Sequence, residues 1–448
     1  MELNKDVMRA VESLDYRVTV GDVAAKAGLN VEVAQQGLLA LASETQGHLQ
    51  VSESGEIAYE FPRNFQGILR NKYWQLRLQE MAEKVWQAVF YVIRLSFGVM
   101  LLVSIAIIFI AIFALMIAAS QGGGDRDDRR GGFGGGFGGG FLFFPSDIFW
   151  LFSPRYGRGR HYSSYGSRGS RTVQRNGSAR RSGEKLNFFE AIFSFLFGDG
   201  DPNADLEDRR WRTIGTVISN NGGAVTAEQI APYLDDLGEG WDKEYEDYML
   251  PVLARFNGQP EVSPTGEIVY YFPELQVSAM QRGKAAVGAY LKEIKRKFTQ
   301  ATSDQVLLSI GLGSLNIIGA LVLSSMLQDF IAQGAAIPAA AVFAQSIFWL
   351  LVGYGVAFLA VPLIRYYWVQ WQNAKIERRN QQRQERAAQL NRLGPTFQEK
   401  LAFAHQFAEQ KVLRAEDSVY DSGTNLLEQE GDRADQIDTE WQRRLREI

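Results

Sequence analysis

The densest run of potential metal ligands is Asp199-x-Asp201-x-Asn203-x-Asp205-x-Glu207, whose alternating oxygen side chains have the opening spacing of a calcium loop. Ala204 stands where such a loop needs glycine, Arg210 where it needs a bidentate glutamate, and Pro202 stiffens the turn. A capping turn ahead of the following helix is the better reading. Three histidines, His48, His161 and His405, lie far apart, and there is no cysteine. Disulfides, thiolate zinc sites, cysteine-ligated iron–sulfur clusters and cysteine nucleophiles are therefore excluded. No phosphate-binding glycine loop, zinc-protease helix or nucleophile elbow occurs in the sequence. The expectation is a chain that is not an enzyme and needs no cofactor.

A second kind of chemistry is carried by cations beside apolar runs. Lys292, Lys295, Arg296 and Lys297 precede one such run; Arg365, Lys375, Arg378 and Arg379 follow the next, with Tyr366, Tyr367, Trp368 and Trp371 among them. Cations next to a membrane helix meet anionic headgroups, and interfacial tyrosine and tryptophan form an aromatic belt. These twelve residues are the candidate lipid interface.

The elements that would position them are long and apolar. Leu95–Ala119 has no charged side chain over 25 residues, a reach of roughly 37 Å at about 1.5 Å per residue, enough to cross a bilayer. Val306–Leu327 and Ala339–Ile364 are also uncharged and are joined by Gln328–Pro338, a link that dictates a helical hairpin. The hairpin's ends are rich in Lys and Arg and its loop has none, so both ends should face the cytoplasm or its organellar equivalent. The first span has three cations on each side, which leaves its direction open. Met1–Asp6 lacks the basic-then-apolar start of a signal peptide, in keeping with a cytoplasmic amino terminus. Charge is absent inside all three spans, so a proton relay has no machinery.

Between the runs the sequence repeats itself. Val51-Ser52-x-x-Gly55-Glu56-Ile57-x-Tyr59-x-Phe61-Pro62 recurs as Val262-Ser263-x-x-Gly266-Glu267-Ile268-x-Tyr270-x-Phe272-Pro273. Upstream, Thr19 with Asp22 and Thr226 with Gln229 have capping-box spacing. Each copy reads as three helices followed by a two-stranded hairpin, which resembles the winged-helix fold. The second copy differs by an insertion around Pro232–Lys243 and by Pro251.

The fold class expected is an α-helical membrane protein with two small α+β winged-helix-like domains, mostly α overall. Winged-helix-like domains occupy 1–62 and 198–273, each followed by a charged helix, at 63–94 and 274–304. Transmembrane helices lie at 95–119, 306–327 and 339–364. A Gly/Phe then Arg/Ser low-complexity linker fills 120–185, with a re-entrant candidate at 131–154, and an interfacial helix follows at 186–197. A charged helical tail, acidic and mobile towards its end, covers 365–448.

Charge decides between partners. Residues 1–62 hold four cations against ten carboxylates, a balance of −6, and residues 205–273 hold five against thirteen, a balance of −8. DNA binding depends on neutralising phosphates, so DNA is disfavoured and protein partners are favoured. The linker's arginines, from Arg155 to Arg181, suit anionic lipid or the acidic domains better than RNA. The expected function is a non-enzymatic membrane scaffold or assembly factor binding membrane lipids and other membrane proteins. Alternatives are a membrane-tethered nucleic-acid regulator, or a small channel or transporter, which would require a homo-oligomer.

The wing repeat, the Phe-rich segment ending Phe197-Gly198-Asp199-Gly200-Asp201-Pro202-Asn203 and the terminal hairpin together resemble a cyanobacterial and chloroplast membrane family. Members sometimes carry an iron–sulfur-biosynthesis label. The resemblance implies a photosynthetic (thylakoid) membrane; the label finds no thiolate here to support it.

Overall fold

A computed structural model describes residues 4–72, 74–121, 186–235, 246–390 and most positions from there to 425, with scattered positions beyond. The elements begin with α1 (Lys5–Ser13), β1 (Arg17–Thr19), α2 (Val20–Ala27), α3 (Val31–Thr45), β2 (His48–Ser52), β3 (Ile57–Glu60), α4 (Phe65–Lys72) and α5 (Trp74–Gln121). Next come α6 (Phe188–Phe197), α7 (Leu206–Asn220), β4 (Ala224–Val225), α8 (Ala227–Ile230), α9 (Leu250–Phe256), β5 (Gln259–Val262), β6 (Ile268–Tyr271), α10 (Pro273–Gln276) and β7 (Val277–Ser278). The chain continues with α11 (Ser303–Ala332), α12 (Ala339–Ser346), α13 (Phe348–Leu390), α14 (Pro395–Phe407), β8 (Lys411–Val412) and β9 (Ser418–Asp421). It divides into two compact units: a polar one of 1–83, 201–296 and 371–448, and an apolar one of 84–200 and 297–370.

In the polar unit, local sequence sets the helix ends. Asn4 and Asn30 cap α1 and α3, and Thr19 and Asp22 exchange the two bonds of a capping box on α2. Gly28 closes α2 at φ 69°, the left-handed geometry a glycine adopts without penalty. Thr226 and Gln229 repeat the capping box at α8. The hairpin turns use Gly55 and Gly266 at φ 87° and 85°, so the two copies of the motif bend alike. One sheet runs β1-β3-β2-β9 and another β4-β6-β5, all pairs antiparallel. Val51 faces Ile57 and Val262 faces Ile268 at matching positions of the repeated motif.

The segments that the sequence sets out as separate domains share one core. Val7, Val23, Leu38 and Tyr59 of the first belong to the same buried cluster as Ile214, Ile218, Phe256 and Phe272 of the second. The join is α2 against α7. A side chain on Gly215 would lie 2.8 Å from the Ala25 backbone, and one on Gly28 would meet the backbone of Arg212 at 2.7 Å. Glycine at both positions lets the helices touch backbone to backbone. Full burial of each large apolar side chain contributes about 1.5–3 kcal/mol, so the shared core is a strong bond between the copies.

The apolar unit is helical. Three helices are long and apolar enough to cross a membrane: 84–120, 303–332 and 348–390, with mean hydropathies of 3.1, 2.2 and 1.8 over their most apolar windows. Their inner faces pack Leu101, Ile105 and Phe358 around Ile192, Phe195 and Leu196 of α6. Outward stand Phe113, Leu307, Ile364 and Trp349, the last 82% exposed. Buried between them, Asn316 donates its amide to the Ser104 hydroxyl.

Several expectations need correction. The charged helix placed at 274–304 does not form: past α10 and β7 the backbone is irregular from Ala279 to Thr302. Its main-chain groups go to side chains elsewhere in the chain, described below. The third apolar run is not one helix; it breaks at Ile347, beside the Ser346 hydroxyl, which donates to the Phe343 carbonyl. Part of the tail is paired: after α14, β8 joins β7 in parallel and β9 joins the free edge of β2, while most of its acidic end beyond 425 lies outside the described residues. The linker from 122 to 185, its re-entrant candidate 131–154 and its arginines lie outside the described residues, as does 236–245 of the second copy's insertion.

Candidate functional site

Asparagine is the residue that organises the most unusual part of the polar unit. Asn373 and Asn380 lie seven residues apart on α13, hence on one helical face. Asn203 sits in the turn before α7, its own amide bonded to Asp201, and Asn220 ends α7. All four carboxamides point at the irregular strap between Ala285 and Arg296, and each grips both main-chain groups of one residue. Asn380 accepts from the Glu293 N–H and donates to its carbonyl, both at 2.9 Å. Asn203 does the same to Ile294 at 2.8 and 2.7 Å, and Asn373 to Arg296 at 2.8 and 2.9 Å. Asn220 holds Ala285 at 2.9 and 2.8 Å. A carboxamide presents a donor and an acceptor side by side, as a neighbouring β-strand would. These four side chains thus replace a strand, and they read backbone rather than sequence.

One strap side chain is read as well. Glu293, 3% exposed, takes two bonds from Arg379, at 2.7 and 2.6 Å, and a contact from Arg383 at 2.9 Å. Arg383 is 1% exposed; it also donates to the Leu291 carbonyl at 2.9 Å and pairs with Asp235, which Arg210 also reaches. Burial alone would raise the Glu293 carboxyl, but the Arg379 bond and the charge of Arg383 outweigh it and hold it below its ordinary value. Asp235 is held low in the same way, burial being overcome by Arg383 and then Arg210. The groove therefore combines a backbone reader with a carboxylate pocket.

A second buried ionic cluster fixes α14. Lys400 lies among Glu228 at 2.9 Å, Glu246 at 2.8 Å and Glu267 at 3.7 Å, and Tyr270 donates to Glu246. Burial works against the Lys400 charge, yet Glu228 and Glu246 keep the ammonium above its ordinary value.

The twelve residues of the expected lipid interface fall into different roles. In the apolar unit, Arg365 donates to the carbonyls of Ser194 and Phe195, closing the end of α6, and lies 4.3 Å from the Phe298 ring centre. Tyr366 packs edge-on against Phe298, while Tyr367 and Trp368 are exposed, as is Lys297. In the polar unit, Arg379 is spent on Glu293, Arg296 pairs with Asp201, and Lys295 pairs with Glu377 at 2.9 Å. Lys375 sits 3.5 Å from the ring centre of exposed Trp371, and Lys292 and Arg378 face solvent. The sequence marked these cations by position beside apolar runs; it could not separate structural arginines from free ones.

The calcium-like run is dispersed. In the apolar unit Asp199 accepts from Ser194 at 2.7 Å and from the Gln300 N–H at 2.9 Å. In the polar unit Asp205 pairs with Arg209, and Glu207 takes Arg210 and the Trp211 ring nitrogen. Among the described residues no three His, Cys, Asp or Glu side chains are grouped to hold a metal ion. Helix α3 turns Glu32, Val33, Gln36 and Leu39 outward and contains no Lys or Arg.

The plant protein named "Uncharacterized protein At5g03900, chloroplastic", from Arabidopsis thaliana, is 35% identical over 459 aligned residues, covering 100% of this chain and 83% of the plant one. The chain belongs to that protein's family. The match bears out the chloroplast-type family expected from the sequence and carries nothing about iron–sulfur biosynthesis. Both polar segments, the apolar helices and the tail all fall within the alignment to the At5g03900 family member. No family profile and no solved structure matches the chain.

Proposed function

We propose that the protein is a non-enzymatic, multi-pass membrane scaffold or assembly factor whose two fused modules hold protein partners at the membrane surface. Each module has the helix and hairpin order of a winged helix, and the recurring Val-Ser-x-x-Gly-Glu-Ile-x-Tyr-x-Phe-Pro motif supports their origin by duplication. The observation that carries the reading is the shared core of the modules. Two modules with one core lie on one face of the membrane. Cations at both ends of the α11–α13 hairpin favour the cytoplasmic face, or the stromal face in a chloroplast-type setting. The relative's chloroplastic name is in keeping with a thylakoid location.

A winged helix that reads DNA places its third helix in the major groove and supplies cations to the phosphates. Here α3 offers glutamate, glutamine, valine and leucine, a surface suited to another protein. Crosslinking and mass spectrometry on isolated membranes should return reproducible protein neighbours linked through the polar unit. Absence of any such neighbour, together with salt-sensitive DNA or RNA binding by the full chain, would overturn the reading in favour of a nucleic-acid regulator.

A further inference from the structure

A connection that exists only to join two elements has no need of four side-chain amides from distant parts of the chain. The strap runs between β7 and α11, yet at Ala285, Glu293, Ile294 and Arg296 both main-chain groups are matched by Asn220, Asn380, Asn203 and Asn373. Main-chain hydrogen bonds with a few side-chain pockets are how proteins recognise extended peptides. The pockets here are specific. Leu291 and Glu293 point inward at 4% and 3% exposure, whereas Lys292 and Ile294 point outward. Glu293 meets Arg379 and Arg383, a bidentate and charge-assisted recognition that a neutral side chain could not satisfy. Burying Arg383 is unfavourable unless carboxylates accompany it; Glu293 supplies one beside Asp235, so the groove would be less stable without an occupant carrying a carboxylate.

We infer that this groove is a receptor for an extended polypeptide of the pattern Leu-x-Glu, carried by a partner protein, and that the strap is its resident occupant in the free chain. The inference rests on the proposed scaffold reading only in taking the partner to be a polypeptide. The strap covers the site and lowers apparent affinity by the fraction of time it stays docked. Its tether makes that fraction high, so partner binding waits on release of the strap. The backbone bonds make the flanking positions tolerant; the carboxylate pocket supplies the choice.

The test uses the full chain in detergent micelles and a fluorescent synthetic peptide copying residues 285–296. Glu293→Lys opposes Arg379 and Arg383 and expels the strap, which hydrogen exchange at Glu293–Arg296 reads directly. The expelled chain should bind the peptide at least about tenfold more tightly than the parent, equivalent to about 1.4 kcal/mol. Changing the peptide's own glutamate to glutamine, or adding Asn380→Ala to the chain, should remove that gain. Should the charge reversal misfold the protein, a protease site inserted after exposed Gly283 gives a folded chain that can be nicked afterwards, with the same expected gain. A strap that exchanges freely while neither chain binds peptide would overturn the inference. So would a concentration-dependent dimer of the Glu293→Lys chain that excludes peptide, which would assign the groove to a second copy. Failure here leaves crosslinked neighbours through other surfaces intact, so the two readings fail separately.

Discussion

Lys400 shows how much one residue carries. It is the cation at the centre of Glu228, Glu246 and Glu267, and replacing it with methionine would leave these half-buried carboxylates without their cation beside Tyr270. Breaking such a buried pair costs about 3–5 kcal/mol, so Lys400→Met should lower the urea midpoint of the polar unit at neutral pH. The strap pocket has its own pH signature. Glu293 and Asp235 titrate lower in the fold than in the unfolded chain, whose carboxylates titrate at about 4. Their contribution is therefore complete above that value and is lost as the pH falls through the folded value. Strap amides should lose protection, relative to their intrinsic exchange rates, below about pH 4, and Glu293→Gln should remove most of that acid dependence while lowering stability at neutral pH; an unchanged acid limb would refute the assignment.

At the scale of elements, the two sheets differ at one edge. In the first module the tail strand β9 adds to β2, and Leu49 donates to the Ser422 hydroxyl at 2.8 Å while its carbonyl accepts from the Ser422 N–H at 3.0 Å. The repeated motif places Pro260 where Leu49 stands, and proline has no N–H to offer an added strand. Proline on an exposed edge is a recognised device against unwanted pairing. Leu49→Pro should thus free β9, costing about 1–3 kcal/mol, and open 411–425 to limited proteolysis with the core of the module intact. Capping boxes, hairpin glycines and long apolar helices were legible in the sequence because each is decided by neighbours within a few residues. The strap was not. Its shape depends on Asn203, Asn220, Asn373 and Asn380, and no local pattern links a residue near 290 to one near 380. The tail strands escaped for the same reason, since β9 alternates too briefly to announce a partner more than 350 residues earlier.

For the whole molecule, the shared core replaces the picture of two separate modules with one body. The chain lacks cysteine, so single cysteines introduced at the exposed hairpin tips report without background. Ser54→Cys and Thr265→Cys should react with a membrane-impermeant maleimide from the same side of sealed vesicles. Opposite sidedness would be incompatible with a common core and would remove the membrane arrangement proposed here. Gly215→Val probes the join itself: a side chain there collides with Ala25 backbone, and overpacking of this kind costs about 1–3 kcal/mol. Both modules should melt at a lower temperature together, because they are halves of one cooperative unit.

Arg17 donates to the carbonyls of Ala279 and Leu413, each at 2.6 Å, so it finds its partners only 262 and 396 positions later in the chain. As the ribosome works, the first module is delivered with part of its apolar surface uncovered, because the second half of its core lies at 206–275. In the membrane arrangement proposed above, the helix at 84–120 would insert before the polar body is complete. The first module must therefore be shielded from aggregation until the residues around Leu413 have been made, and depletion of holdase chaperones should harm this protein sooner than one whose modules mature in the order they are made.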